Sequence, residues 1–490
     1  MSTTQPMRSE WTAFRRPGRL IALAAAGLIV IAVGLLLAAG NRSHCGGPCP
    51  ELVSGGGVVV RDKFSFLHRD LGREGSITVR LTSMTGTITY PPPNHDQIVP
   101  GLVPWAKAGI LIKDGVRPGS QYAALLMTGS HGVRFQYNYT HDLAGRAGGV
   151  SEQSPRWLRL TRSGDNITGA ESTDGKQWHN VATSKLHGLP ENVQVGLFAT
   201  SPNDLTLRKV GLGATMGQAR HTQAVGVFDN VTVDGAATGK WHSEPVGGEI
   251  KTDWERQHPS GAVEKDGAIT VSGSGDIRPH SDESVKTLLL GLPIGLIIVL
   301  IVAARHGTRT ARQTPSRRVI AARATILGAA TFATGLVAVG ILVPTGMAIL
   351  KGNGIAVSPL PFLTGTRVVA GLAVALALCA ILTFGLGLRL RRGWTAILIG
   401  LSLIALPYTI ATLPLLPDPF SQWLLRLTPA AGFAVQQTMT EYPHVTAHYA
   451  LSAGYFPLPW WAGLALLGAY TLIVMWIALG RKPVADTDWR

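Results

Sequence analysis

RHGTRTARQTPSRR, residues 305–318, carries five arginines and no acid between two long apolar runs. A chain that leaves one apolar run, shows only positive charge and enters the next so soon reads as a membrane hairpin. Basic residues in short loops stay on the cytoplasmic side of a bilayer. The hairpin therefore orients everything around it.

Working outward, segments 20–39, 287–304, 319–345, 367–388, 394–416 and 460–480 are each long and apolar enough to cross the hydrocarbon core. Composition agrees. Of 490 residues, 46% are hydrophobic and only 15% charged, with a mean hydropathy of +0.21; a soluble chain of this length carries more charge. The run from Val319 to Leu350 is too long for one untilted helix, and Pro344 is read as its end. The first run lacks a clear small-residue cleavage pattern after it, so it is read as an uncleaved anchor rather than a signal peptide.

The charge placement extends this reading. Arg8, Arg15, Arg16 and Arg19 precede the first span, Arg323 follows the hairpin, Arg389, Arg391 and Arg392 form a short loop, and Arg481, Lys482 and Arg490 lie in the tail. Against these stand only Glu10, Asp486 and Asp488, so this set carries most of the net charge of +15. Both termini and the loops 305–318 and 389–393 are expected in the cytosol. The basic balance reports topology, and no nucleic-acid partner is expected.

Residues 41–285, between the first two spans, change character. They are rich in Gly, Thr, Ser and Asn, with short alternating runs such as GSITVRLTSMTGTITY, KAGILIKDG and NVQVGLFATS. Strands at this spacing with Gly, Asp and Asn turns predict an antiparallel β-sandwich, core about 57–235, with a β appendage at 236–283. The fold class is thus an α-helical integral membrane protein of six spans with a large inserted all-β extracytoplasmic domain. Residues 1–40 form the first unit and 286–490 carry the other five spans. The segment 417–459 holds FSQWLLRLTPAAGFAVQQTM, whose apolar stripe is interrupted by Arg426 and Pro429. It is too polar for a seventh span and reads as an interfacial or re-entrant helix.

Chemistry-bearing motifs are scarce. Gly175-Lys176-Gln177 and Gly239-Lys240-Trp241 lack the Ser or Thr of a phosphate loop, so ATP is not expected to bind this chain. The spans hold essentially no ionisable residue away from their ends, which disfavours a proton-coupled carrier. Lys286, Arg323 and Arg367 sit where snorkelling suffices. Acids are scattered in turns such as SGDN and STDGKQW, without the paired carboxylates of a glycosidase. No nucleophile elbow and no metal-ligand spacing occurs. Trp105, Trp157 and Trp178, with Tyr122 and Tyr137, could form an aromatic platform for a sugar, or simply fill the sandwich core. Asn138, Asn166 and Asn230 fall in N-x-[ST] patterns read as chance. Cys379 is a packing residue within the fourth span. Cys45 and Cys49, in HCGGPCP, are candidates for a small disulfide loop, with free thiols or a metal pair as alternatives.

Three stretches resemble the permease subunit of a type-two ABC exporter: MRSEWTAFRRP at 7–17, TARQTPSRRVIAARA at 310–324, and SQWLLRLTPAAGFAVQQTMTEYPHV followed by GYFPLPWWAGLALLGAYT at 421–445 and 454–471. The resemblance covers about 1–40 and 284–490. It implies an amphipathic N-terminal helix in which Glu10, Trp11 and Arg15 make the contact. A coupling loop at 305–323, with Arg312, Pro315, Arg317 and Arg318, would receive motion from a separate cytoplasmic ATP-binding-cassette ATPase. Pro315 is read as opening the helix that enters the third span. The ATPase would hold ATP and Mg, leaving this chain without a cofactor. The resemblance further implies a homo- or heterodimer of permeases in contact with membrane lipid. Its outer gate would be built from Trp423, Arg426, Pro429, Phe433, Gln436 and Gln437. The cargo would be an amphiphile (drug, lipid, peptide or glycoconjugate) moved outward. The junction AARHGTRTARQ departs from the family pattern, since it lacks the acidic and aromatic residues often found there.

The inserted domain has its own likeness. PWAKAGILIKDG at 104–115, PRWLRLTRSGDNITGAESTDGKQWHNV at 155–181 and VQVGLFATS at 193–201 look like a concanavalin-like lectin/glucanase jelly roll. That fold hosts binders and enzymes alike, and without an acidic strand motif it is read as a binding or structural domain. A rival reading is a membrane-anchored sensor that binds glycan or cell wall, although no output domain follows the spans. An anchored carbohydrate enzyme is a third.

Overall fold

The computed structural model describes residues 10–15, 17–42, 52–89, 97–248, 253–280, 284–313, 315–355 and 357–480. Among the described residues, six helices are long and apolar enough to cross a membrane: Pro17–Gly40, Ser284–Ala311, Arg317–Gly352, Phe362–Leu390, Gly393–Thr412 and Trp460–Leu479. Each contains all or most of one of the apolar runs seen in the sequence. Within lipid a helix satisfies its own backbone, so an unbroken apolar run has no competing structure.

The ends differ from expectation, for local reasons. The second span does not stop at 304 but stays helical to Ala311, and the third span begins at Arg317. Gly307 makes this extension possible, because it lies against the Phe384 carbonyl and Gly387 of the fourth span where a Cβ would collide. Pro344 does not end the third span: the helix carries it internally and runs 36 residues to Gly352. Lacking an N–H, Pro344 leaves the carbonyl of Gly340, four positions before it, without the usual helical bond. At about 54 Å this helix outruns the roughly 30 Å hydrocarbon core. Nor does Pro315 open that helix. Ser316 is its N-cap, accepting from the Val319 N–H at 3.5 Å, and Pro315 precedes it. The fifth span stops at Thr412 and contains a π-helical turn, Leu401–Ala405, just before Pro407.

The fourth span is the hub of the bundle. Gly335 of the third span packs on Ala373 and Leu376, Gly385 faces Val474 and Met475 of the sixth, and Gly387 meets Ala304 and Gly307 of the second. Small residues let these backbones approach, which is how apolar helices associate where lipid is as apolar as Leu. At one end Asn353 donates to the carbonyls of Ala38 and Asn41, at 3.0 and 3.1 Å, tying the third span to the first.

The inserted domain is a large antiparallel sheet of thirteen strands, nearly closed on itself. Its path runs His179–Lys185, Asn166–Ser172, Arg156–Ser163, Phe64–Thr89, Val193–Thr200, Lys107–Lys113, Tyr122–Thr128, Val133–Tyr137 and His141–Ala144. The strand Phe64–Thr89 belongs to both layers. Residues 65–71 pair with 193–199, and 74–81 pair with 156–163. The crossover needs Gly75, whose missing side chain leaves 2.6 Å to both the Asp234 carbonyl and Leu71. Between the layers lie Ile77, Ile110, Leu125, Leu158 and Leu197, and Gly169 of one layer abuts Phe135 of the other. The strands Lys107–Lys113 and Tyr122–Thr128 are buried along their whole length, because a second apolar cluster with Phe64, Phe66, Leu126 and Phe198 covers their other face.

The region 236–283 is not a separate appendage. The strand Thr222–Val246 follows Phe64–Thr89 as far as Val246, Ala268–Gly273 pairs with it, and Ile277–Pro279 pairs with Val60–Asp62. Buried ions fasten this closure: Lys107 to Asp276 at 2.7 Å, and Lys113 to Asp62 at 2.8 Å with the Tyr139 hydroxyl donating to the same carboxylate.

Candidate functional site

The residues singled out in the sequence gather at opposite ends of the bundle. At the arginine-rich end, residues 10–14 form a short helix ahead of the first span. Its Phe14 inserts into a cluster with Ala303, Leu327 and Phe384, while Trp11 remains 45% exposed. Glu10 turns inward. Its two carboxylate oxygens accept from Arg323 Nε at 2.6 Å and Nη2 at 3.2 Å, and the same guanidinium donates through Nη1 to Thr310 (3.2 Å) and Gln313 (2.6 Å). One arginine thus joins the N-terminal helix, the end of the second span and the start of the third. Bidentate pairing of this kind fixes geometry as well as charge.

Trp11, Arg15, Arg312, Arg317 and Arg318 face outward, and Pro315 is half-buried in the turn. Arg305, Arg309 and Arg312 recur at helical spacing and are all exposed, so they make a basic stripe along the extended second span. His306, on the opposite side, is buried between Phe14 (5.5 Å) and Phe384 (5.4 Å), with no hydrogen-bond partner on either ring nitrogen. Reading the helix as ending at 304 hid this histidine in a loop. Reading Arg323 as a snorkelling cation likewise missed its role, which no local pattern signals.

The other end holds the segment 413–456. Its expected single helix splits in two, since Pro429 cannot continue the hydrogen-bond ladder. Asp418–Leu427 is an amphipathic helix with Phe420 and Trp423 exposed, and Arg426 lies 5.4 Å from the Trp423 ring centre. Pro429–Gln436 is a wholly buried 3-10 stretch. It dives between the fourth and sixth spans, where Val435 meets Gly371 and the Ala431 carbonyl meets Gly463. Phe433 stacks near Tyr408 of the fifth span at 4.4 Å, and the Gln436 amide exchanges hydrogen bonds with the Tyr408 hydroxyl at 3.1–3.2 Å. Gln437 donates to the Met439 carbonyl and accepts from the Phe456 N–H. A cavity of about 210 Å³ opens here, lined by Lys286, Leu290, Tyr408, Thr412, Gln436 and Phe456 among others. Its walls are mainly apolar with a few polar groups, the usual make-up of a site for an amphiphile.

The β-domain docks on this same end. The hairpin of Asp204–Val210 and Ala214–Arg220 sits on residues 414–418, with the Leu212 N–H donating to the Leu415 carbonyl at 3.3 Å. Thr215 donates to Asp418, which also holds His448 Nε2 at 3.0 Å. His444 donates to the Tyr139 carbonyl at 2.9 Å and meets Trp105 edge-on at 6.4 Å. Burial lowers the His444 pKa; Lys107 lowers it further, whereas the Tyr139 carbonyl, Asp142 and Asp276 act in the opposite direction.

The three tryptophans do not assemble into one platform. Trp105 is committed to this dock, stacked on His131 at 3.9 Å. Trp157 and Trp178 share the outward face of the strand Arg156–Ser163 but are each covered by an arginine, Arg80 at 5.8 Å and Arg159 at 3.8 Å. Neither lies in the sandwich core. Cys45 and Cys49 lie outside the described residues. Among the described residues no cluster of His, Cys, Asp or Glu is arranged to hold a metal ion.

No protein-family model and no curated protein sequence matches this chain. Partial likenesses exist among solved structures. A functionally unknown protein from Saccharomyces cerevisiae aligns at 16% identity over 34% of this chain and 73% of its own, with a TM-score of 0.21. Scytalido-glutamic peptidase aligns at 8% identity over 44% of this chain and 99% of its own, with a TM-score of 0.29. The GH43 protein BlXynB from Bacillus licheniformis aligns at 16% identity over 26% of this chain and 24% of its own, with a TM-score of 0.17. Scores this low carry no argument about fold or activity.

Proposed function

We propose that this chain is the membrane-spanning permease subunit of an ABC-type exporter, moving an amphiphile outward with a separate cytoplasmic ATPase. One observation carries the reading. The helix Ser284–Ala311 bears the basic stripe and the Glu10–Arg323 junction at one end, and Lys286, Leu290 and Ile294 of the apolar cavity at the other. A helical span of about 42 Å, α-helical except for a 3-10 turn at Leu289–Gly291, therefore links the surface an ATPase would push to the place an amphiphile would leave. On this reading the arginine-rich end is cytosolic, following the positive-inside rule, and the β-domain is extracytoplasmic. The concanavalin-like likeness of that domain and a homo- or heterodimeric assembly belong to the same proposal.

The test is co-purification with an ATPase. Replacing Arg317 and Arg318 by Glu is expected to release the partner while the permease still inserts. An unchanged complex would remove the coupling role. Orientation is checked separately by thiol labelling in a cysteine-free background. Leu143→Cys is expected to react with a membrane-impermeant reagent from outside cells and Arg312→Cys only after lysis.

A second reading has its own support. The β-domain grips the re-entrant segment through Thr215, Tyr139 and Trp105, as a sensor that binds glycan or cell wall and signals through the spans would require. Transport of an amphiphile into acceptor vesicles by the reconstituted permease and ATPase distinguishes the two.

A further inference from the structure

A second cavity, of about 310 Å³, lies between the starts of the fourth and sixth spans, lined by Thr364, Arg367, Gln437, Thr438, Thr440 and Trp460 among others. Its character differs from the apolar cavity. Arg367 donates through Nη2 to the Gln437 carbonyl, but its Nε–H is buried with no hydrogen-bond partner. Among the described residues that line the cavity none is acidic. The Arg367 side chain is only partly buried, and a single bond to a carbonyl leaves its guanidinium with donors to spare for an incoming anion.

The backbone adds to this field. The helices Phe362–Leu390 and Trp460–Leu479 both begin at this cavity, each preceded by a proline and neither capped by a side chain. Uncapped N–H groups and the positive end of the helix dipole favour an anion. Hydroxyls of Thr364, Thr438 and Thr440 supply further donors. The rim is apolar and aromatic. Phe362 and Leu363 are among the most exposed large side chains, with Trp460 and Trp461 beside them, as expected where a helix meets the headgroup region.

We infer that this cavity binds the phosphate of a phospholipid-like amphiphile, with Arg367 as the charged donor and the acyl chains lying along the apolar faces of the fourth and sixth spans. The site does not depend on the export reading, since a lipid could occupy it in any membrane protein with this geometry.

The test uses the full chain purified in a neutral detergent and titrated calorimetrically with dihexanoyl phosphatidic acid. Saturable binding is expected, weakened about tenfold or more in Arg367→Gln and less in Arg367→Lys, which keeps the charge without the fork. Should Arg367→Gln not yield a monodisperse protein, Thr364→Val with Thr440→Val serves instead and is expected to weaken binding severalfold. Inorganic phosphate is run in parallel. Weak phosphate binding beside tight lipid binding supports the lipid site. Equal affinities would mean a soluble-anion site and overturn the lipid assignment. Unchanged lipid affinity in the well-folded variants would overturn the site itself.

Discussion

Glu10 and Arg323, 313 positions apart in the chain, form a two-pronged ion pair in which each side chain is only 16% exposed. The pair closes the arginine-rich end of the bundle. It makes the N-terminal helix, the second span and the third span a single mechanical unit, because Thr310 and Gln313 hang on the same guanidinium.

Breaking that pair leaves a half-buried cation with only neutral partners. Glu10→Ala is expected to cost about 1–2 kcal/mol, between the values for exposed and for buried pairs. Thermal unfolding in detergent reads it, and the exchange Glu10→Arg with Arg323→Glu should recover part of the loss. A silent Glu10→Ala would mean that the N-terminal helix is held by Phe14 alone.

The close approach of the second and fourth spans depends on glycine. Gly307→Ala places a methyl against the Phe384 carbonyl and is expected to destabilise by about 1–3 kcal/mol through overpacking. Gly352→Ala, at a position with open space around its Cβ, is the control and should differ far less. Equal stabilities would show that the two helices slide apart at little cost.

The dock of the β-domain on the bundle has a geometric readout. Leu212→Cys with Leu415→Cys, in a cysteine-free background, is expected to cross-link rapidly with a short bis-thiol reagent, because the two backbones share a hydrogen bond. Asp418→Ala removes the acceptor of Thr215 and the partner of His448, and should slow the cross-link. No cross-link in either background would mean that the domain is not seated on residues 414–418.

The dock should also respond to pH. His444 has a folded-state pKa below its ordinary 6.5 because burial disfavours the charged ring. A base lowered in the folded state contributes stability above its unfolded value and loses it as pH falls further. Protection factors of residues 441–448, corrected for the intrinsic pH dependence of amide exchange, are therefore expected to be high at pH 7.5 and to fall below about pH 6.5. His444→Gln should flatten that dependence. A pH profile unchanged by the substitution would assign it to another group.

Much of the architecture was legible because its signals are local. An apolar run of about twenty residues has one stable solution in lipid, and alternating strands between Gly and Asp turns have few in water. Six spans and an antiparallel β-domain follow from that. Span ends were less legible. Whether Arg305 to Ala311 is loop or helix depends on Gly307 finding Gly387 across the bundle, and whether a helix ends at Pro344 or carries it inside is not written in the neighbouring residues. The appendage at 236–283 was misplaced for a similar reason, since a strand partner as distant in the chain as Phe64 is from Val246 leaves no trace in the local pattern.

The sequence by itself determined which segments prefer lipid, which prefer a sheet, and where the arginines fall, because hydropathy, alternation and charge are properties of neighbouring residues. Only the tertiary structure decided that Arg323 serves Glu10, that Arg367 faces a cavity, and that a hairpin near residue 212 rests on residue 415. These contacts join positions tens to hundreds of residues apart, and the free energy that selects them exists only once the chain has packed.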